Sequence, residues 1–428
     1  MAFLDLPDDI LLEILVSHLR PHPPLTPGCP YNLPFFLWQG IVEATNEDSF
    51  KLAGVLRSTA LVCRRLHNIA IKALYRYIPL STKDDSSKIF ISTLSKHPHL
   101  SVYIRSVDIN CEHFEVAMGI KDLFWLPNIH TICIRKCPWV DWHRRAFKNL
   151  DHVRTSPVQV LRFTECKLDN GPLSQILSWP KALKQLWYHA VIEPYEDRRR
   201  RELDCGDVQR ALATQADCLE EVVLTVVAYT YRIVGGVLDF RNYSKLKSLR
   251  IQGRFLLNSK ANDKLWERLP KSLQELEIGY LDRDTITDNL QDFECSRVDW
   301  LMGMFGKMVA PENEDNPKGV FTPSLERVRL VVPLVERILE PELEENQTEA
   351  DFNFDFDEHG GITDPVVNWR PPSKLMGSSK RAGVSLSIYA LTGGRYRYTI
   401  EGDKGFENVW EDTWDRFNGM YRPPTRVP

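Results

Sequence analysis

His130, Cys133 and Cys137 have the residue types and the close spacing of a soft-metal site, but a tetrahedral zinc site needs a fourth ligand and none stands nearby in the sequence. The thiols are therefore read as structural and the metal is discounted. The run Arg198 to Arg201 has the composition of a nucleic-acid contact, yet Glu196, Asp197, Glu202 and Asp204 flank it and make it a solvated loop. No nucleophile motif and no phosphate-cradling glycine loop occurs, so catalytic, cofactor and metal residues are all expected to be none. What remains is side chains able to grip a partner. Arg135, Arg162 and Arg250 suit a carboxylate or phosphate, and Trp187 suits a buried anchor.

Composition narrows the setting in which such residues act. Of 428 residues, 43 % are hydrophobic and 26 % charged, as in folded proteins able to bury a large core. A net charge of −4 argues against general nucleic-acid binding, which draws on clustered excess cation. Nine cysteines with no recurring pair spacing fit a reducing compartment, so an intracellular protein of the cytoplasm or nucleus is expected. Asp5, Asp8, Asp9 and Glu13 oppose a signal peptide, and no apolar stretch is long enough for a membrane span.

The elements that position the arginines repeat. Two apolar residues three apart, followed by a third two further on, recur eight times at intervals of about 27 residues. The instances are Ile104-Val107-Ile109, Ile129-Ile132-Ile134, Val158-Leu161-Phe163, Leu183-Leu186-Tyr188, Leu219-Val222-Leu224, Leu246-Leu249-Ile251, Leu273-Leu276-Ile278 and Leu325-Val328-Leu330. Each ends as a short strand, and helical segments are expected between them at Val116–Trp125, Leu173–Trp179, Val208–Gln215, Lys264–Leu269 and Val298–Met308. Strand, turn and returning helix at this period resemble a leucine-rich repeat, over about Leu100 to Val332. Cys137 and Cys166 stand three residues past the third apolar position, where such repeats place asparagine or cysteine.

At the amino terminus, Leu6-Pro7-Asp8-Asp9 starts a helix that is apolar on more faces than one packing partner can cover. LPDDILLEILVSHL followed by LRSTALVCRRLHNIAIKALYRYIPL resembles the two halves of an F-box, particularly the divergent kind abundant in fungi. The resemblance implies a three-helix module that docks on the Skp adaptor of a cullin–RING ubiquitin ligase. The docking positions it implies are Leu6, Pro7, Ile10, Leu11, Ile14 and Leu15, with Val62, Cys63 and Leu66 from the second half. An interface of that kind buries about 1,600 Å² and rests on a few anchors. The chain departs from the family in a Pro-rich insert at about 20–48.

The fold class expected is α/β. An F-box-like helical module over 1–80 leads to a leucine-rich-repeat solenoid over 100–335, with parallel strands on its concave side and helices on its convex side. An acidic insertion over 336–375 and a C-terminal hairpin and aromatic cap over 376–428 follow. Residues between the apolar strand positions face the concave side. Arg135, Arg162, Trp187, His189, Arg250, Gln252, Arg327 and Arg329 are the candidates for binding a target, an acidic or phosphorylated protein segment. Function is then substrate recruitment to a ligase whose cullin and RING subunits do the chemistry. The alternative is a repeat scaffold with no ubiquitin role. Neither nucleic acid nor a membrane is an expected partner.

Overall fold

A computed structural model of the chain describes residues 6–19, 54–81, 86–111, 120–137, 152–164, 166, 170–190, 201–226, 231–256, 265–279, 299–309, 324–334, 373–392 and 395–401. The Pro-rich insert, Arg198–Arg200, the acidic stretch 336–361 and the aromatic residues Trp410, Trp414, Phe417 and Tyr421 lie outside them.

The first helix, α1 (Asp8–Leu19), carries Asp8 and Asp9 in its first turn, where carboxylates favour the positive end of the helix dipole. Residues 54–60 are helical, and α2 (Arg64–Arg76) follows after a short turn. Cys63 caps α2, its thiol accepting from the Leu66 N–H at 3.5 Å. Leu12 and Leu15 of α1, Leu56 and Ala60 of the middle stretch, and Ala70, Ala73 and Leu74 of α2 form one small apolar cluster. Arg65 pairs with Asp8 and Arg76 with Glu13, each at 2.7 Å, so the acids of α1 are stitched to the basic face of α2.

Helix α2 runs without a linker into β1 (Tyr77–Ser81), the first strand of an eleven-stranded sheet. Helix α3 (Ser86–Lys96) leads to β2 (Ser106–Asn110), the one-turn α4 (Ile120–Leu123) to β3 (Thr131–Arg135), and β4 (Val160–Thr164) and α5 (Asn170–Ser178) to β5 (Gln185–Ala190). Then come β6 (Arg201–Asp204), α6 (Cys205–Ala213), β7 (Glu221–Val226), β8 (Tyr231–Val234), β9 (Ser248–Gln252) and β10 (Glu275–Gly279). The described chain ends with α7 (Asp299–Val309), β11 (Arg327–Leu334), α8 (Ser373–Arg381), β12 (Ser385–Thr392) and β13 (Arg395–Glu401). Strands stand in chain order, parallel from β1 to β12, with β6 and β8 apart as a parallel pair and β13 antiparallel to β12.

Each unit enters the sheet the same way. One carbonyl just before a strand accepts two N–H groups of the next unit: Arg105 from His130 and Thr131, His130 from Gln159 and Val160, Gln159 from Lys184 and Gln185. The pattern continues through Lys184, Glu220, Lys247 and Gln274. Every residue of the eight apolar triplets is buried, in one continuous core shared with Leu173, Ile176, Val208, Leu212, Trp300, Phe305 and Leu375 of the helices. Buried leucines of this kind each contribute about 1.5–3 kcal/mol relative to exposure. The molecule is thus α/β, with a parallel sheet whose one face carries helices, an arrangement compatible with a repeat solenoid.

Three expectations change. The sheet begins inside the N-terminal module, because Tyr75, Ile78 and Leu80 repeat the triplet spacing where a helix and a proline disguise it. It also runs past 335. The expected terminal hairpin is present as the antiparallel pair β12 and β13, but β12 is also a further parallel strand in register with β11, and its own helix α8 crosses the expected boundary at 375. The helix expected over Lys264–Leu269 is a 3-10 turn at Leu265–Arg268, since Pro270 bars an α-helical continuation. Of the expected Val116–Trp125 helix, the described part is the single turn Ile120–Leu123.

Candidate functional site

In a strand alternate side chains leave opposite faces, so the residues between the buried triplet positions line the other side of the sheet. The register sets Asp108, Cys133, Arg162, Trp187, Val223, Arg250, Glu277 and Arg329 side by side across β2 to β11. A neighbouring row holds Gln185, Glu221, Ser248, Glu275 and Arg327. Arg135, Thr164, His189 and Thr225 fall in a third. The arginine-rich set expected from sequence is therefore gathered on one face.

Its members are not equally available. Arg135 donates from two guanidinium nitrogens to Asp108, which also accepts from the Tyr77 hydroxyl at 2.9 Å. Burial opposes the Arg135 charge, and Asp108 more than restores it, leaving the group more strongly protonated than usual. Cys133 lies between these groups, its thiol pushed up to about 11 by burial and by Asp108. Arg327 pairs with Glu275 at 2.9 Å and Arg329 with Glu277 at 3.7 Å. Arg250 reaches Glu275 only at 4.0 Å. Gln252 is enclosed, its side-chain oxygen accepting the Val226 N–H at 2.9 Å. His189 is buried with Nδ1 2.6 Å from the Thr225 hydroxyl, and burial pushes its pKa down to about 4, so it is a neutral imidazole at pH 7.

The middle of the face differs from its ends. The Arg162 guanidinium sits over the Trp187 ring at 3.9 Å, a cation–π contact, and Trp187 packs on Val223. Beside them Glu221 is 2 % exposed, and neither carboxylate oxygen makes a hydrogen bond of good geometry, the Trp187 indole being its facing donor. Burial raises its pKa, opposed by the charges of Arg250 and Arg162. The Nε of Arg162 and the hydroxyl of Ser248 are likewise buried without a partner. Sequence inspection passed over Glu221 because an acid among arginines reads as an ordinary mixed surface; its burial depends on strands separated by 36-residue and 27-residue steps whose register the sequence does not state.

At the amino terminus the docking positions divide. Leu11 and Leu66 are buried within the chain, while Leu6, Ile14 and Leu15 are half-buried and Pro7 and Cys63 exposed. Ile10 is 45 % and Val62 68 % exposed, and they are joined by two residues the motif did not single out, Val55 at 58 % and Leu61 at 87 %. An apolar set of this kind, on two helices and the turn that joins the second to the third and outside their shared apolar cluster, marks an interaction surface.

Cys166 donates its thiol to the Ile134 carbonyl at 3.2 Å and the Thr164 carbonyl at 3.4 Å, and so binds the backbone leaving the strand, and Cys137 is buried. His130 is exposed while Cys133 lies in the arginine row. Among the described residues no group of three His, Cys, Asp or Glu side chains is arranged to hold a metal ion, and no helix is long and apolar enough to cross a membrane. Neither a protein-family model nor a curated protein matches the chain.

Proposed function

We propose that the chain is the substrate-recruiting subunit of a Skp–cullin–F-box ubiquitin ligase, with an F-box at its amino terminus and leucine-rich repeats behind it. One observation carries the reading: Ile10, Val55, Leu61 and Val62 are exposed on the helices and the connecting turn of a module whose apolar cluster does not include them. Uncovered apolar side chains on a small helical module are stable in solution only at a cost, which a partner groove removes. The Skp adaptor is that partner. The cullin and RING subunits, reached through the adaptor, supply ubiquitin transfer, and this chain is not an enzyme.

The target occupies the face of the sheet opposite the helices, where an acidic or phosphorylated segment meets Arg162 and Arg250. The paired arginines Arg135, Arg327 and Arg329 set its borders and Trp187 anchors it. The protein acts inside the cell, in keeping with nine cysteines that show no recurring pair spacing.

Purified chain mixed with the Skp adaptor tests the proposal. Ile10→Asp combined with Val62→Asp is expected to weaken capture at least tenfold, since each removes an apolar anchor worth about 1.5–3 kcal/mol and leaves a charge to desolvate. Both positions face water in the free protein, so folding, followed by circular dichroism, is expected to survive. A wild-type chain that captures no adaptor leaves only the repeat scaffold without a ubiquitin role.

A further inference from the structure

The polar atoms left unsatisfied in the middle of the sheet's open face point one way. Arg162 Nε and the Ser248 hydroxyl are buried donors without partners, and the Arg250 guanidinium stands 4.0 Å from its nearest carboxylate oxygen. Set among them is one carboxylate, Glu221, whose two oxygens make no hydrogen bond of good geometry and have the Trp187 indole as their facing donor. A buried carboxylate is costly: burial raises the Glu221 pKa, opposed by the charges of Arg250 and Arg162 and by the Trp187 indole. Glu221 therefore fills, imperfectly, the place of an anion.

We infer that Arg162, Ser248 and Arg250 form an oxyanion site for a phosphate monoester on the target, and that Glu221 guards it by admitting the anion only together with a proton. The inference rests on the target half of the proposed function and deepens it. Once protonated, Glu221 changes from a repelling charge to a donor, and its O–H joins the three donor side chains in facing the entering oxygens. Three phosphate oxygens use that many donors, where a carboxylate offers only two. Groups facing Glu221 from the packed strands are Arg162 of β4, Trp187 of β5, Arg250 of β9 and Glu275 of β10. Glu275 is held by Arg327 at 2.9 Å, which leaves Glu221 as the carboxylate that must yield. Burial favours the neutral acid, so the proton comes at modest cost. Access runs through Arg162, the partly exposed member of the group.

Sulfate is the probe, because it stays a dianion at every pH used. Its effect on thermal unfolding of the full chain is compared with chloride at equal ionic strength, from pH 6 to pH 8. The wild type is expected to show a sulfate-specific stabilisation whose apparent Kd rises with pH, by up to about tenfold per pH unit, with protons taken up on sulfate binding in calorimetry across two buffers. Glu221→Gln is expected to bind sulfate independently of pH and at least tenfold more tightly at pH 8, and Arg162→Ala to respond to sulfate as to chloride. No sulfate-specific effect in either wild type or Glu221→Gln overturns the inference, as does a pH slope that survives in Glu221→Gln. Should the Gln chain fail to fold, proton uptake by the wild type decides alone: none means no guard. Adaptor capture, measured on the same samples, does not involve this face, so its retention separates failure of the oxyanion site from failure of the ligase reading.

Discussion

His189 is enclosed on the sheet's open face with the Thr225 hydroxyl as its neighbour and a pKa of about 4. In the unfolded chain the imidazole titrates near its ordinary value of about 6.5, so between these limits the unfolded state binds a proton that the folded state refuses. Stability from this residue is therefore complete above about pH 6.5 and is lost as pH falls through about 4. Over that window the loss amounts to about 3 kcal/mol. Urea unfolding from pH 7.5 to pH 4 is expected to show that dependence in the wild type and to show it reduced by that amount in His189→Gln. Equal pH dependence in both chains would assign the acid sensitivity elsewhere. Glu221 acts with the opposite sign: its raised pKa means the folded state holds a proton the unfolded state has released, so its penalty grows as pH rises and Glu221→Gln is expected to stabilise the chain at neutral pH. Such residues show how far sequence reaches at this scale. The arginines could be named as a set from their strand positions, but that Arg135 is committed to Asp108, Gln252 to a backbone N–H and Glu221 to no hydrogen bond of good geometry is decided by the register of strands far apart in the chain.

Among the elements, the repeat was visible because its apolar positions are imposed by one fixed geometry: the first residue before the strand and two within it must all reach the same core. All eight instances are buried, whatever residue type fills them, from Val158 to Tyr188. Two further units escaped for local reasons. In one, Tyr75 belongs to α2 while Ile78 and Leu80 belong to β1; in the other, Gly383 with φ of 70° stands where the first apolar residue belongs ahead of Leu386 and Ile388. Because each unit touches mainly its neighbours, damage should spread along the chain of repeats and fade. Leu249 lies in β9 between β7 and β10 and is fully buried. Leu249→Ala is expected to cost about 2–5 kcal/mol, through lost transfer energy and the cavity left behind. Hydrogen exchange provides the check: protection of β7, β9 and β10 amides should fall well before that of β2 and β3, whereas uniform loss would mean that the sheet unfolds as one cooperative body.

At the level of the whole molecule, the boundary expected between a module ending at 80 and a solenoid starting at 100 is not where the structure divides. The last turn of α2 hands its chain directly to β1, the Arg105 N–H bonds the Arg76 carbonyl at 3.0 Å, and Tyr77 donates to Asp108 across the β1–β2 pair. The helical module is thus also the cover over the first edge of the sheet, the termination that any stacked array of repeats needs. Cutting the chain at residue 100 removes β1 and leaves β2 as an open parallel edge, with the core residues Val107 and Ile109 stripped of Ile78 and Leu80 beside them. Unpaired apolar edges of this sort recruit other chains. A chain starting at residue 64 keeps α2 and β1, loses α1 and the exposed residues Ile10, Val55, Leu61 and Val62, and retains the covered edge. Light scattering and thermal unfolding should separate the two truncations: the chain from residue 64 monomeric, close to full length in melting temperature and unable to capture the Skp adaptor, the chain from residue 100 aggregating or melting several degrees lower, roughly 2–4 °C for each kcal/mol lost. A chain from residue 100 that matches full length in both measurements would mean that β1 adds nothing to the sheet, and the module would then be a free appendage whose position relative to the target face is set by a hinge and not by shared hydrogen bonds.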